Sequence, residues 1–468
     1  MRKAELMDPH LQIAITLCLA AIYPLLHIHL RRIVLLTASY AFYAFINFAF
    51  LPILAGVSVS AFLGGIAVER WRKSNILTTV FIVLLLTPLV LYKYWETWFG
   101  SFVLPGIPVS SLQFGGYGSV LIPVGLSFYT FQALGYLIDV HRKTVSAEHN
   151  ILRFLLYMAF FPQLLAGPIE RYKSLSRQLW SAPTPEFEKI GPAVLILLYG
   201  LFLKTVIGDR IGVAVDEAYL ASTVGWRDAV TATAGFTIQI FADFAGYSLI
   251  AVGTAQLFGI DLTNNFKQPF FSHNLVEFWQ RWHISLTRWI GDYLYRPLGR
   301  LMWRMSDGHR MIAESLTSIV VWVVMGLWHG PTLPFVIFGA LQAIAMQAIR
   351  LLGPDRPAMM PPWRLGLGML ATFLFISVTF GLIRTPDLVT YAGMLSAFMT
   401  LAPGKAPAVE PTILIIGIII MFIVEFIFRF RPPPRLPPSY TFALIGLLFI
   451  ITVLFGYDQS RSFVYFRF

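Results

Sequence analysis

The sequence predicts an all-α protein that crosses a membrane many times. Of its 468 residues, 57% are hydrophobic and only 13% are charged, whereas an ordinary globular domain carries about 25% charged residues. So few charges cannot cover the surface of a soluble protein. The apolar stretches are long and continuous instead of alternating in short runs, which favours helices over a membrane β-barrel. These observations exclude a soluble enzyme, a nucleic-acid-binding domain and a disordered chain.

Each span needs about 20 mostly apolar residues, and fourteen stretches of the sequence are candidates. They are residues 11–30, 33–50, 52–68, 76–92, 118–138, 151–167, 190–207, 229–258, 312–330, 333–352, 365–383, 388–402, 412–430 and 440–456. Some are short or contain Pro and Gly, so we expect about eleven to thirteen transmembrane helices. The first stretch lacks a small-residue cleavage site, and we interpret it as a retained helix instead of a signal peptide.

Basic loops predict the orientation. Arg31 and Arg32 follow the first span, Arg70 follows the third, and Arg142 and Lys143 follow the fifth. Two crossings separate each of these loops from the next, so they share one side, which the positive-inside rule makes the cytoplasm. The net charge of +11 then reflects loops beside anionic lipid, and we expect no nucleic-acid partner. The long, nearly uncharged loop at 93–117 is expected outside.

The least membrane-like segment lies near residues 261–311. Aromatic and basic residues interleave along it, a mixture that suits re-entrant or interfacial helices with Trp and Tyr at headgroup depth. The segment comes directly before an apolar run that contains a histidine.

Ionisable residues inside apolar segments are costly and usually functional. His329 stands between two apolar stretches with Gly326, Gly330 and Pro331 around it, which predicts a broken helix lining a cavity. A neutral histidine there could accept a proton from a nucleophile. The alternative is a structural histidine in the bundle core. His283 is a second candidate, and its alternative is an amphipathic anchor in an interfacial helix.

Other polar residues within or near apolar runs have simpler interpretations. Asp243 must either pair with a cation or belong to a polar cavity. His27 and His29 are too few for a metal site, and we predict no metal. Cys18 has no partner for an internal disulfide.

Several motifs, taken together, resemble the membrane-bound O-acyltransferase (MBOAT) family. They are PVGLSFYTFQALGYLIDVHR at 123–142, FFPQLLAGPIERY at 160–172, FADFAGYSLIAVGTAQLFGI at 241–260, NFKQPFFS at 265–272, WQRWHISLTRWIGDYLYRPLG at 279–299, GLWHG at 326–330 and FVYFRF at 463–468. The residues of these motifs are similar to those of the bacterial branch that contains the alginate O-acetylation and teichoic-acid D-alanylation membrane proteins. The motifs resemble the alginate type more than the D-alanylation type.

The resemblance implies one integral membrane domain over residues 1–468, with helices around a central funnel or tunnel. Residues 1–117 form N-terminal spans that match only in hydropathy, and 118–468 form the core with a catalytic segment at 261–340. The implied activity is O-acylation of an extracytoplasmic polysaccharide or cell-envelope polymer from the bacterial cytoplasmic (inner) membrane. The implied donor is a cytoplasmic thioester, acetyl-CoA or an acyl carrier, with no bound cofactor. A separate extracytoplasmic acetyltransferase is the implied partner, besides membrane lipid.

The resemblance also assigns residues. His329 corresponds to the histidine of the GLWHG motif and is the predicted general base. His283, with Trp282 or backbone N–H groups, is expected to position the donor or stabilise an oxyanion. Further predicted donor or substrate contacts are Arg281, Arg288, Trp328, Asp243, Tyr247 and Gln239. The arginines have an alternative role as ligands of lipid headgroups.

A different class of function stays open at this point. Intramembrane His329 and Asp243 could form the proton or substrate path of a transporter or channel without covalent chemistry. The sequence has no inverted repeat of the kind many transporters carry, which argues for the acyltransferase.

Overall fold

The structure is a computed structural model that describes residues 9–71, 74–99, 122–164, 167–221, 224–353, 360–404, 411–430, 437–457, 461 and 463–464, with the backbone alone at 9–14, 95–99 and 430. Most of the predicted external loop at 93–117 and the start of the predicted span 118–138 lie outside the described residues. So do most of the C-terminal FVYFRF motif and part of the basic loop after Arg70. The described part of the chain is helical and contains no strand.

The helices follow one another along the chain with short connections. They are α1 (Pro9–Ile22), α2 (Ile28–Asn47), α3 (Leu51–Arg70), α4 (Asn75–Phe99), α5 (Leu126–His141), α6 (Ile151–Ala159), α7 (Phe161–Leu164), α8 (Tyr172–Ser181), α9 (Phe187–Leu201), α10 (Asp209–Leu220), α11 (Trp226–Val230), α12 (Phe236–Gln256), α13 (Leu275–Arg281), α14 (Ile284–Ile290), α15 (Arg296–Met305), α16 (Arg310–His329), α17 (Leu333–Leu352), α18 (Pro362–Arg384), α19 (Leu388–Met399), α20 (Pro411–Phe430) and α21 (Pro438–Phe455). Single π-helical turns join α9 to α10, α11 to α12 and α14 to α15, so each pair continues as one rod.

Nine helical stretches of the described residues are long and apolar enough to cross a membrane. They are Ile28–Arg70, Asn75–Tyr94, Phe187–Leu220, Trp226–Gln256, Arg310–His329, Leu333–Leu352, Pro362–Arg384, Pro411–Arg429 and Pro438–Phe455. The first contains both α2 and α3, and shorter apolar helices cover Ile15–Leu25 and Leu388–Met399. The predicted all-helical, polytopic class is confirmed.

Two predicted spans are shorter in the structure. The stretch 118–138 becomes α5 with 16 residues, and 151–167 becomes α6 with 9 residues followed by the single turn of α7. Helix α5 is buried along nearly its whole length. A short buried helix cannot span the hydrocarbon by itself, so it belongs to the interior of the bundle, where polar groups and broken helices are tolerated.

Glycines set the close packing of α12 against α9 in the bundle centre. A methyl group at Gly246 would lie 2.7 Å from the carbonyl oxygen of Gly200, and one at Gly253 would lie 2.6 Å from that of Ala193. Small residues permit this backbone approach between membrane helices. Helix α12 thereby becomes the central element, with Phe244 in one apolar cluster and Phe241 in a second.

Candidate active site

His329 is the last residue of α16 and lies at a tight connection to α17. A methyl group at Gly326 would lie 2.2 Å from the carbonyl oxygen of Phe335, and one at Gly339 would lie 2.4 Å from that of Trp322. The two helices therefore cross with their backbones in contact, which only glycine allows at both positions. Pro334 is the second residue of α17, in the first turn, where proline is tolerated in a helix. The glycines and prolines of the motif thus hold His329 at a helix end.

Aromatic rings enclose the imidazole of His329, which is only 8% exposed. Its ring centroid lies 4.7 Å from that of Trp328 and 5.7 Å from that of Phe338, edge to face in both cases. The end of α4 closes this side, because the Tyr94 hydroxyl donates to the carbonyl oxygen of Leu327 and the Lys93 ammonium lies 5.1 Å from the Trp328 ring.

His283 is buried between α5 and α12. Its ring stacks on Phe128 at 5.9 Å and meets the edge of Phe244 at 4.6 Å. The residue caps α14 with φ of +43°, in the left-handed region. A non-glycine residue there is strained, and such strain is concentrated at functional sites. Burial lowers the pKa of His283 to about 3, so the imidazole is neutral at physiological pH.

A buried polar network fixes the tautomer of His283. The side-chain oxygen of Asn265 accepts from the backbone N–H and the hydroxyl of Ser285 at 3.2 and 2.7 Å, while the Asn265 amide donates to Ser248 at 3.1 Å. A backbone N–H can only donate, so the Asn265 atom that it contacts is an oxygen. His283 Nδ1, 3.4 Å from that oxygen, must then carry the proton, which puts the lone pair on Nε2.

An aromatic ridge on α5 links the two histidines. Phe128 stacks on His283, and Phe131, one turn further along α5, stacks on Trp328 at 5.6 Å. Phe131 also stacks on Trp289 at 4.4 Å. The structure therefore connects His283 to Trp328, the neighbour of His329, through two rings of α5.

Asp243 faces a buried ion cluster instead of an open cavity. The Lys204 ammonium lies 2.5 Å from Asp243 and 2.6 Å from Asp209, and all three side chains are at most 2% exposed. The second oxygen of Asp243 accepts from the backbone N–H of Val464 at 2.6 Å. Of the two predicted environments of Asp243, the structure shows pairing with a cation. The cluster also anchors the end of the described chain.

Tyr247 and Gln239 flank that cluster. The Tyr247 ring packs on Phe463 at 4.9 Å and lies 5.4 Å from the Lys204 ammonium. Gln239 is buried beside Gly212, where a methyl group would lie 2.7 Å from its amide nitrogen. Phe463 contacts Phe244 at 5.4 Å, and Phe244 contacts His283, so these rings connect Tyr247 to His283.

Trp282 lies in the second apolar cluster and Arg281 in an ion-pair network. The Trp282 indole stacks on Phe278 at 5.4 Å and is 2% exposed. Arg281 pairs with Glu277 at 2.9 Å and donates to the carbonyl oxygen of Lys267 at 2.9 Å. Arg288 is exposed. Of the predicted donor contacts, Arg288 is thus the more accessible of the two arginines.

Sequence reasoning missed three polar residues of this region. Lys204 stands in an apolar run of its own. The rule that ionisable residues inside apolar runs are usually functional, which identified the histidines, could have identified it too. Lys93 ends another run. Asn265 begins the NFKQPFFS motif, but its link to Ser285 and Ser248 depends on the fold. In the described part of the chain, no group of three or more His, Cys, Asp or Glu side chains could hold a metal.

A bundle of apolar helices around two buried histidines is typical of a polytopic membrane enzyme and not of a soluble one. A sequence model of the family "MBOAT, membrane-bound O-acyltransferase family" matches residues 141–385, more than half of the chain. The chain belongs to this family and is a multi-pass membrane O-acyltransferase. The transporter alternative is therefore not supported.

Relatives with acyltransferase names support an O-acyltransferase. The chain is 30% identical to a probable alginate O-acetylase of Pseudomonas putida over 94% of both chains. It is 29% identical to a peptidoglycan O-acetyltransferase of Helicobacter pylori, over 68% of this chain and 64% of the relative. It is also 29% identical to a teichoic acid D-alanyltransferase of Streptococcus thermophilus, over 61% of this chain and 74% of the relative.

Proposed function

We propose that the enzyme takes an acyl group, acetyl in the first instance, from a cytoplasmic thioester and passes it across the membrane for O-acylation of an extracytoplasmic polysaccharide or cell-envelope polymer. The observation that carries the proposal is that one face of α5 contacts both histidine regions, with Phe128 on His283 and Phe131 on Trp328, whose ring in turn contacts the ring of His329. The names of the relatives, which act on alginate, peptidoglycan and teichoic acid, support a polymer of this class.

His329 is the general base in this proposal. Acyl transfer to an acceptor hydroxyl requires a group that accepts the hydroxyl proton as the oxygen attacks the thioester carbonyl. The C–S bond then breaks, and the base returns this proton to the sulfur, so that the donor leaves as a free thiol. His329 ends a helix at a connection shaped by glycine, and its ring is enclosed by aromatic side chains that exclude water. Exclusion of water also protects the thioester from hydrolysis.

His283 positions the donor. Its lone pair on Nε2 can accept a hydrogen bond. Acetyl-CoA and a carrier-bound pantetheine arm both contain amide N–H groups that can donate one. A neutral imidazole with its proton on Nδ1, directed to Asn265, has no second proton for an oxyanion. This favours the positioning role of His283 over the oxyanion role, which falls to backbone N–H groups.

The surroundings of the reaction follow from the same proposal. The enzyme acts in the bacterial cytoplasmic membrane and takes its donor from the side of the basic loops. Arg288, which is exposed, is the better candidate for a donor phosphate. A separate extracytoplasmic acetyltransferase completes transfer to the polymer.

The test compares alkali-releasable acetate on envelope and secreted polysaccharide in a deletion strain complemented with the natural sequence or with His329→Ala. Loss of a general base costs about 10²- to 10⁴-fold in rate, so ester acetate should fall below detection. The matched control is His309→Ala, an exposed histidine at the opposite end of α16, which should leave acetate unchanged.

Membrane abundance must be equal in all strains. Unchanged acetate with His329→Ala would contradict the assignment of the base or of the acetyl group. Esterified D-alanine, measured on the same material, distinguishes these two errors. If D-alanine falls and acetate does not, His329 is still the base but the acyl group is D-alanyl.

A further inference from the structure

Helix α15 presents three arginines on one stripe. Arg296, Arg300 and Arg304 recur every four residues, which places them on the same helix face, and all three side chains are exposed. The helix also exposes two apolar side chains, Leu301 at 50% and Met305 at 69%. One turn separates these two residues, and they lie about 100–140° around the helix from the middle of the arginine stripe.

A third side of α15 rests on the protein. A methyl group at Gly299 would lie 3.8 Å from Thr317 of α16, and the Tyr295 hydroxyl at the start of the helix accepts from Arg350 at 3.4 Å. The arginine and apolar stripes both point away from this contact. A helix with exposed cations beside exposed apolar side chains lies in the interface plane of a membrane. Trp303, 55% exposed, is of the residue type enriched at that depth.

Two of the three arginines are available for an anionic ligand. Arg296 pairs with Asp292 at 2.6 Å. Neither Arg300 nor Arg304 has a carboxylate oxygen within 4 Å among the described residues, and α15 itself contains no acidic residue. Surplus positive charge at headgroup depth complements anionic phospholipid.

We propose that α15 is a binding site for anionic phospholipid headgroups, with Arg300 and Arg304 as the headgroup contacts and Leu301 and Met305 against the acyl chains. The site has a direct mechanical connection to the catalytic region. Residues 284–305 form one continuous rod, and His283 caps its first turn. Lipid bound at α15 thus fixes the far end of the element that carries His283.

The test measures lipid binding to the purified full-length protein by native mass spectrometry, with phosphatidylglycerol and phosphatidylcholine of identical acyl chains. A basic residue near an anionic surface contributes the equivalent of about fivefold in affinity. Arg300→Gln/Arg304→Gln should therefore lower the preference for phosphatidylglycerol by about 25-fold. Arg300→Lys/Arg304→Lys keeps the charge and should retain most of it.

Lys173→Gln/Arg177→Gln is the matched control. It removes the same charge at the same spacing from α8, where both side chains are exposed but the apolar residues Leu175 and Leu179 are buried in the protein. This control should change the lipid preference by less than twofold. Each variant must elute as a single species with an unchanged melting temperature.

An unchanged preference in the glutamine variant of α15, or an equal loss in the α8 control, would overturn the proposal. A third measurement separates lipid from donor. If the glutamine variant keeps its lipid preference but binds coenzyme A more weakly, the arginines belong to the donor site and the lipid proposal is wrong. None of these readouts requires acyl transfer, so they are independent of the proposed function.

Discussion

Gly326→Ala is the sharpest test of how the fold holds His329. A methyl group at this position would lie 2.2 Å from the carbonyl oxygen of Phe335, well inside the 3.5–4.0 Å at which nonbonded heavy atoms pack best. The obstacle is backbone, so no side-chain rotation relieves it. Real Cβ atoms essentially never approach another atom closer than 3.0 Å, so helices α16 and α17 must separate by about 0.8 Å or more. Because a displacement of about 1 Å can cost about 10²-fold in rate, we expect activity to fall by that order although His329 is intact.

The assay is acetate ester content in the complemented deletion strain, together with membrane abundance and the melting temperature of the purified protein. Overpacking costs about 1–3 kcal/mol, so the protein should remain folded but melt several degrees lower. Gly446→Ala is the control, since a methyl group there meets no atom within 4 Å. Ester content above half of the natural level with Gly326→Ala, at equal abundance, would refute the claim that the helix contact positions the histidine.

Three further predictions concern the polar groups around the site. His283 stays neutral in the folded protein down to a pKa of about 3, whereas the unfolded chain binds a proton below about 6.5. Stability should therefore decline as the pH falls from 6.5, by about 2 kcal/mol at pH 5, and melting curves of His283→Asn should lack this component. Lys204→Met leaves two buried carboxylates without their cation and should cost about 3–5 kcal/mol, while adding Asp243→Asn should restore part of the melting temperature. Asn265→Ala frees the His283 tautomer, and we expect a raised KM for the donor with the abundance little changed, whereas a change in kcat alone would contradict the positioning role of His283.

Hydropathy predicts the class of this fold because every helix in a membrane must satisfy its own backbone hydrogen bonds. The same physics marked His329, since glycine and proline around an ionisable residue in an apolar run indicate a broken helix at a cavity. It also marked the segment near 261–311, which the structure divides into α13, α14 and α15. The lengths of the buried helices were not predictable, because α5 is as apolar as a true span and only its position inside the bundle distinguishes it.

The ion cluster shows where sequence reasoning ends. Asp243 had two possible environments, and the choice depends on Lys204 and Asp209, which are brought to it by the packing of α9 and α10 against α12. Each charge alone would be very costly at this depth, and Lys204 lowers that cost for both carboxylates because its ammonium contacts each of them. No pattern within a single helix contains that information, although the presence of Lys204 in an apolar run was a visible sign that a partner must exist.

The two histidines are held by different means, and this difference fits the roles proposed for them. Asn265, Ser285 and Ser248 fix His283 through side-chain hydrogen bonds, so one tautomer is enforced and the ring neither gives nor takes a proton at neutral pH. His329 is held by the backbone contact at Gly326 and by aromatic packing. The aromatic rings around His329 keep water from its imidazole, which is what the proposed general base requires. The network around His283 holds its ring in one orientation, which is what the proposed positioning of the donor requires.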